Sequence, residues 1–449
     1  MDAAINDQCV FHSEVFGQIT YDPEDLTAID RLNFYASALQ KNDAILGQII
    51  KPGMHIIDVA ANIGEVSLTF SRMVGTTGSV HAFEQNRNSY QRLRRNIQAQ
   101  PLNNVVASED CIGHNTDERT PHRLDDYALD CDVLRIGTRV NALEVILGAQ
   151  TTINQHKPYL CIERDGEEDI AELVGFIHGL GYQIYCQDVA AIRNMPETAD
   201  TRVTSRFRIL FCFPVVPASR PCPSPGYLEL LNHYQTMHSE GYHREVNGEQ
   251  LFTPAEQAFP GNELLRFAET IQSLTRAFGS RSLLDYGSGK GQPYHHPVTI
   301  NGQQYSSLAE YWGVAHIHCY EPAIAELSQW PGEIFDAVFS TDVLEHLPEA
   351  DLPWIIEEMF AHARHFVFCS AACHPALARL PDGSNAHCTI QPPRWWSGLF
   401  KAIALHHPDV RYVVALFESE TQAGNSPRSR LSWASNIELE IGADAQMLS

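Results

Sequence analysis

Two short stretches combine acids and glycines at spacings that could grip a nucleoside. In "DYGSGKG" (285–291), Gly287, Gly289 and Gly291 alternate behind Asp285. Glycine lets a chain turn sharply from strand to helix and lets a ligand touch the backbone. About thirty residues on, "CYEP" puts Glu321 at the end of the next predicted strand, where a carboxylate can accept ribose hydroxyls. "DVAANIG" (58–64) repeats the plan with Asp58, Asn62 and Gly64, followed by Glu84 in "HAFE". There, however, Ala60 stands where such loops usually have glycine. The dinucleotide fingerprint G-x-G-x-x-G is absent from the intact loop, because its third glycine follows the second by two positions.

Other residues could move a proton or hold a second substrate. His346 in "DVLEHL" and His387 in "NAHC" are the catalytic candidates, since an unperturbed imidazole titrates near ~6.5. The polar, aromatic stretch "RLPDGSNAHCTIQPPRWWSGLF" (379–400) follows an apolar strand. Substrates meet cofactors beyond the carboxyl ends of such strands. Asp382, Asn385, Trp395 and Trp396 are therefore expected to build an acceptor pocket with His387. Cys369, Cys373, His387 and Cys388 could in principle surround zinc, but their spacing is irregular and Cys369 falls in an apolar strand. No metal is expected.

These groups need strands and helices to position them. Strands are predicted at 55–58, 79–84, 132–136, 158–163, 182–187 and 206–213, with a helix beginning at "RNSYQRLRRNIQAQ". A second series is predicted at 282–287, 316–321, 336–341, 365–370 and 412–418, after the helical "GNELLRFAETIQSLTRAF". The order strand, loop, helix, strand ending in an acid thus occurs once in each half. Strands alternating with helices predict an α/β fold with mostly parallel sheets covered by helices. The densest proline stretch, "FPVVPASRPCPSPG", reads as an extended linker. The expected organisation is a domain over 1–213, a linker over 214–226, a second domain over 227–435 and a loose tail over 436–449.

Composition excludes several classes. A net charge of −24, from 31 Lys and Arg against 55 Asp and Glu, argues against a nucleic-acid substrate, which calls for basic patches. Only short basic clusters such as "RLRR" (92–95) occur. No apolar run approaches the ~18 residues of a membrane span. "MDAAINDQCVFHSEVFG" lacks the basic and apolar regions of a signal peptide. The 11 cysteines form no CxxC pairs and read as reduced thiols, so a cytoplasmic location is expected.

The second half resembles the class I S-adenosylmethionine-dependent methyltransferases. "D-x-G-x-G-x-G" is similar to their first motif, and "FDAVFSTDVLEHLPEADL" (335–352) to their fourth-strand segment. The resemblance implies a doubly wound, Rossmann-like, seven-stranded sheet with an antiparallel final hairpin, and S-adenosylmethionine as cofactor. It implies that Asp285, Gly287, Gly289 and Gly291 form the cofactor loop, that Glu321 holds the ribose and that Asp342 sits near the cofactor. "PPRW" is not the D/N-P-P-Y/F box of amino-methylating DNA enzymes, because it lacks the leading acid or amide.

Residues 51 to 186 resemble the FkbM-type methyltransferases, which commonly O-methylate sugars and natural products. The segments "KPGMHIIDVAANIGEVSLTFS", "GSVHAFEQNRNSYQRLRRNI", "RLDDYALDCDVLRIGTRVNALEVILGA" and "KPYLCIE" occur in the family's order. Asp58, Asn62, Gly64 and Glu84 are then cofactor contacts by implication. The hallmark I-D-V-E-G reads "IGTRV": Gly137 replaces the aspartate, Arg139 the glutamate and Val140 the glycine. Ala60 by comparison is a mild change. With both carboxylates gone, no catalytic residue carries over to this half, which is expected to be a scaffold, dimerisation or recognition module. The reading is a methyltransferase with its chemistry in the second half, acting on a hydroxyl of a glycan or small-molecule acceptor. The competing readings are a nucleic-acid methyltransferase and a non-catalytic binding protein. A homo-oligomer stays open.

Overall fold

The computed structural model describes residues 10–13, 17–21, 45–114, 122–165, 168–195, 200–246, 248–420, 428–437 and 445–448. The chain divides into two compact units, Met1–Asp169 with Tyr182–Val215, and Ile170–Gly181 with Val216–Ser449. Each is built on a seven-stranded sheet with helices in its crossovers, a doubly wound α/β architecture.

In the first unit the spatial order is Val105–Ser108, Ser79–Phe83, His55–Val59, Val133–Ile136, Tyr159–Asp165, Asp200–Pro214 and Tyr182–Met195. The first five run parallel, and Asp200–Pro214 runs antiparallel to both its neighbours. The central strands carry apolar side chains toward both faces, as parallel strands covered by helices must. Val105–Ser108 was not expected from the sequence. It is a short edge strand, partly exposed, with too little apolar pattern to stand out.

In the second unit the order is His316–Tyr320, Ser282–Tyr286, Phe335–Ser340, Ala363–Ala372, Arg411–Glu420, Arg428–Ser435 and Ala445–Leu448. The first five are parallel, and Arg411–Glu420 forms an antiparallel hairpin with Arg428–Ser435. From Ser282–Tyr286 the chain first crosses to one side and then returns to the other. The carboxyl end of this strand is therefore the switch point, where open α/β sheets bind ligands. Residues 445–448, in the segment expected to be a loose tail, add an edge strand parallel to Arg428–Ser435.

The proline-rich stretch also departs from an extended linker. Arg220 lies over the rings of Trp330, Tyr320 and Trp354, with its Cζ 4.2 Å from the Trp330 centroid. Its guanidinium pairs with Glu358 at 2.6 Å and donates to Tyr320 Oη at 2.7 Å. The ion pair and the stacked rings fasten the strap to the second unit. Ser224 then caps helix Pro225–Glu240 by accepting from the Tyr227 N–H, and Pro225 takes the first helical position, where no donor is lost.

Helix Ala171–Gly179 belongs to the second unit, although its neighbours in sequence belong to the first. It packs closely on helix Pro393–Ala404 because each presents a glycine. A Cβ at Gly175 would lie 1.9 Å from the Trp395 carbonyl oxygen, and one at Gly398 would lie 2.0 Å from that of Glu172. Lys401 pairs with Glu172 beside the crossing at 2.5 Å. All 6 tryptophans lie at 312 or later, so their fluorescence reports the second unit alone. Gly398→Ala should lower the stability of that unit by about 1 to 3 kcal/mol, the usual cost of overpacking. A lowered urea midpoint in tryptophan fluorescence is the expected result, and an unchanged midpoint would mean that the crossing tolerates a methyl.

Candidate active site

In the second unit, strand Ser282–Tyr286 carries Asp285 to the switch point and leaves it buried. The loop that follows takes left-handed backbone at Gly287 (φ 78°) and Gly289 (φ 54°). A side chain at Gly287 would be strained there and would meet Val343 Cγ2 at 2.5 Å. Glu321 clamps this turn: Oε2 accepts from the Gly289 N–H at 3.1 Å and Oε1 from the Ala323 N–H at 3.1 Å. Tyr294 donates to Asp285 Oδ2 at 2.6 Å. Burial nevertheless pushes the Asp285 carboxyl up to about 7, and no lysine or arginine among the described residues pairs with it.

A cavity of about 770 Å³ opens at these carboxyl ends. Asp285, Gly287, Gly289 and Glu321 form one part of its wall, and Asp342, His346 and His387 another. Tyr227, Tyr234, Tyr242 and Phe259 contribute aromatic surface. The volume falls in the range of small-molecule sites.

The second wall is a knot of titratable groups. Asp342, at φ 60°, is held by its N–H donating to Ser370 Oγ at 3.0 Å. His346 and His387 stack edge to face with ring centroids 4.7 Å apart. His346 Nδ1 lies 2.9 Å from the Ala386 carbonyl and 2.6 Å from Tyr234 Oη, and His387 Nδ1 lies 2.6 Å from the His374 carbonyl. A carbonyl only accepts, so the Nδ1–H tautomer satisfies both carbonyl contacts and leaves each Nε2 its lone pair. Burial lowers both imidazoles, His387 to about 4, with the neighbouring His346 adding to the shift. Glu345 is fully buried, and burial with the adjacent Asp342 pushes its carboxyl well up. Its Oε1 accepts from the Ala372 N–H at 2.8 Å, while Oε2 has no donor among the described residues.

Several expected site residues take other positions. Trp395 and Trp396 are 2% and 0% exposed and belong to the core, because their helix turns them toward helix Ala171–Gly179 and the sheet rather than the cavity. Asp382 is exposed and closes its own turn by accepting from the Ser384 N–H at 2.8 Å. Asn385 braces the loop through reciprocal bonds with the Ala376 backbone at 2.9 Å, and its Oδ1 accepts from the His387 N–H at 3.0 Å. It positions His387 instead of lining the pocket. Gly291 turns the chain behind the loop into Gln292–Tyr294, which delivers Tyr294 to Asp285. Glu345 and Tyr234 escaped the sequence reading. An acid inside the apolar "DVLEHL" was the one available signal for the first, and nothing marked the second.

The first unit holds the same loop in a different state. Asn62 N–H and Asn86 N–H donate to Glu84 at 2.7 Å each, the counterpart of the Glu321 clamp. Asp58, however, is paired with Arg135 at 2.9 Å, and Ser67 donates to its other oxygen at 2.5 Å. Arg135 also pairs with Glu163 at 2.7 Å and donates to the Ala60 carbonyl at 3.1 Å, with 2% of its surface exposed. Arg139 donates to Asn62 Oδ1 at 3.2 Å. Ala60 sits at φ 59°, so the substitution is less mild than its size suggests: left-handed backbone costs an alanine roughly 1–2 kcal/mol. A Cβ on Gly137 would lie 2.8 Å from the Ala60 carbonyl oxygen and 3.3 Å from its Cβ. A side chain at 137 would therefore crowd the backbone of the loop. A charged residue in an otherwise apolar strand was the sequence signal for Arg135.

No family model matches the chain. It is similar to the probable cobalt-precorrin-6B C(15)-methyltransferase (decarboxylating) of Sulfurisphaera tokodaii, with 22% identity over 161 residues, 36% of this chain and 79% of that protein. Among solved structures, it is similar to precorrin-6y C5,15-methyltransferase from Geobacter metallireducens, with 19% identity, 41% of this chain and 87% of the other covered, and a TM-score of 0.33. The methyltransferase FkbM from Methylobacillus flagellatus gives 19% identity, 42% and 56% coverage, and a TM-score of 0.27. The Rossmann-like architecture rests on the strand order and direction of the chain itself.

Arg135 ties two buried carboxylates, so its removal should be costly. Arg135→Met should destabilise the first unit by about 3 to 5 kcal/mol, because Asp58 and Glu163 lose a buried partner. Circular dichroism should show an earlier transition while tryptophan fluorescence of the second unit keeps its midpoint. Unchanged circular dichroism would mean that the cluster is relaxed by water.

Proposed function

We propose that the second unit is an S-adenosylmethionine-dependent methyltransferase that acts on a hydroxyl of a small-molecule or glycan acceptor. The observation that carries this reading is one cavity at the switch point, with the Asp285–Gly289 loop and Glu321 on one wall and the Asp342, His346 and His387 cluster on another. The donor set suits the cofactor. Glu321 offers a carboxylate for ribose hydroxyls, the two glycines bring bare backbone to the cavity, and Asp285 offers a buried carboxyl with no lysine or arginine partner among the described residues. The bound cofactor supplies a methyl group already activated on sulfonium.

What the protein must add is alignment and a route for the acceptor proton. The neutral imidazoles, with Nε2 lone pairs fixed by their Nδ1–H···O=C bonds, provide that route. The aromatic part of the wall offers flat surface for an acceptor ring and excludes water. The acidity of the chain disfavours a polynucleotide acceptor. A sugar hydroxyl is the acceptor suggested by the FkbM resemblance of the first unit. In that unit Arg135 neutralises Asp58 and Arg139 takes the place of an acid, which supports a scaffold or recognition role. No helix among the described residues is long and apolar enough to cross a membrane.

Calorimetry with S-adenosylmethionine tests the reading. One site per chain is expected, lost in Gly287→Val; two sites would overturn the view of the first unit, and none would sink the enzyme. Affinity should rise several-fold from about pH 6 to about pH 7.5, as Asp285 ionises toward the cationic cofactor, and Asp285→Asn should flatten the dependence. The free protein should respond oppositely. An acid whose folded pKa is about 7, against ~3.9 unfolded, loses stability as pH rises through that window, because the unfolded chain ionises first. A pH-independent affinity would remove Asp285 from the cofactor contact.

A further inference from the structure

We propose that Asp342, Glu345, His346 and His387 form a binding site for a divalent first-row transition cation in the wall of the cavity. One ligand atom from each of the four residues lies within 4.8 Å of the others. Ligands about 2.1 Å from a cation sit up to about 4.2 Å apart, so side-chain adjustments of some tenths of an ångström close the set. Both histidines have the outer arrangement that metal sites use. Each Nδ1–H is held by a backbone carbonyl, Ala386 for His346 and His374 for His387, which fixes the ring and leaves Nε2 free to coordinate.

The second, independent observation is Glu345. Its side chain is fully buried, one oxygen is anchored by the Ala372 N–H, and Oε2 has no donor among the described residues. A buried carboxylate oxygen beside a second carboxylate is unfavourable unless a proton or a cation sits between them. Two imidazoles and two carboxylates suit Zn²⁺, Mn²⁺ or Fe²⁺ better than Mg²⁺ or Ca²⁺, which take all-oxygen sets.

This inference rests on the methyltransferase reading for its purpose. A cation in that wall would orient an acceptor hydroxyl and acidify it, a task otherwise left to an imidazole alone. An exposed trio elsewhere, His316, His318 and Glu333, is the confounding site that the experiment must separate.

The test uses the full chain, stripped with a chelator and titrated by calorimetry with MnCl₂, which disfavours the thiolates, and by absorption with CoCl₂. One saturable cation per chain is expected, with affinity at least tenfold weaker in both His387→Ala and Glu345→Gln and unchanged in His316→Ala. Circular dichroism confirms that each variant is folded; should Glu345→Gln unfold, His387→Ala with His346→Gln carries the comparison. Cobalt bands of nitrogen and oxygen coordination should disappear with the same variants. The proposal is overturned if the stripped chain binds no cation, or if the loss follows His316→Ala instead. Calorimetry with S-adenosylmethionine on the same samples separates the two claims. Cofactor binding without a cation leaves the methyltransferase reading standing and removes the site. A cation without cofactor does the reverse.

Discussion

A carboxylate buried at the carboxyl end of the first strand is the constraint around which each unit is organised. Asp58 and Asp285 occupy equivalent positions, both buried, with Asp285 facing the cavity. A lone charge there is expensive, so the protein has to neutralise it. The first unit does so with a built-in cation, the Arg135 guanidinium, which bridges to Glu163 on the neighbouring strand. In the second unit a tyrosine hydroxyl and a proton serve, leaving a carboxyl poised near neutrality. The first solution closes the position. The second leaves it able to receive a cation from outside.

The loops after these strands follow the same division. In both, an acid from the next strand accepts two backbone N–H groups and holds the turn in shape. In the second unit glycines carry the left-handed backbone, so the turn is unstrained and bare toward the cavity. In the first, Ala60 and Asn62 carry it, and Arg135 and Arg139 reach the loop with hydrogen bonds. Gly137 sits against this loop, where a Cβ would lie 2.8 Å from the Ala60 carbonyl oxygen.

Much of this was legible from pattern. The strands that lead to Asp58, Glu84 and Asp285 are largely apolar, a signal of burial in a parallel sheet, whereas Glu321 follows the half-exposed edge strand His316–Tyr320. The loops announce themselves by glycine and asparagine, the residues that tolerate positive φ. Less visible was anything decided by which face a helix turns inward. Trp395 and Trp396 lie in a polar, turn-rich neighbourhood suggestive of a pocket, yet the glycines at 175 and 398 draw their helix into a close crossing and bury both rings. Arg220 sits among prolines that read as linker, because its aromatic partners come from distant segments.

The sequence by itself determined the two doubly wound sheets, their loops and the acids that clamp them. These follow from local rules of periodicity, backbone freedom and charge. Tertiary structure alone decided that Arg135 spends itself on Asp58, that Asp285 has no such partner among the described residues and that His346 and His387 meet Asp342 and Glu345 in one wall. Each outcome depends on groups far apart in the chain arriving within hydrogen-bonding or ligand distance, and only strand order and helix packing set those distances.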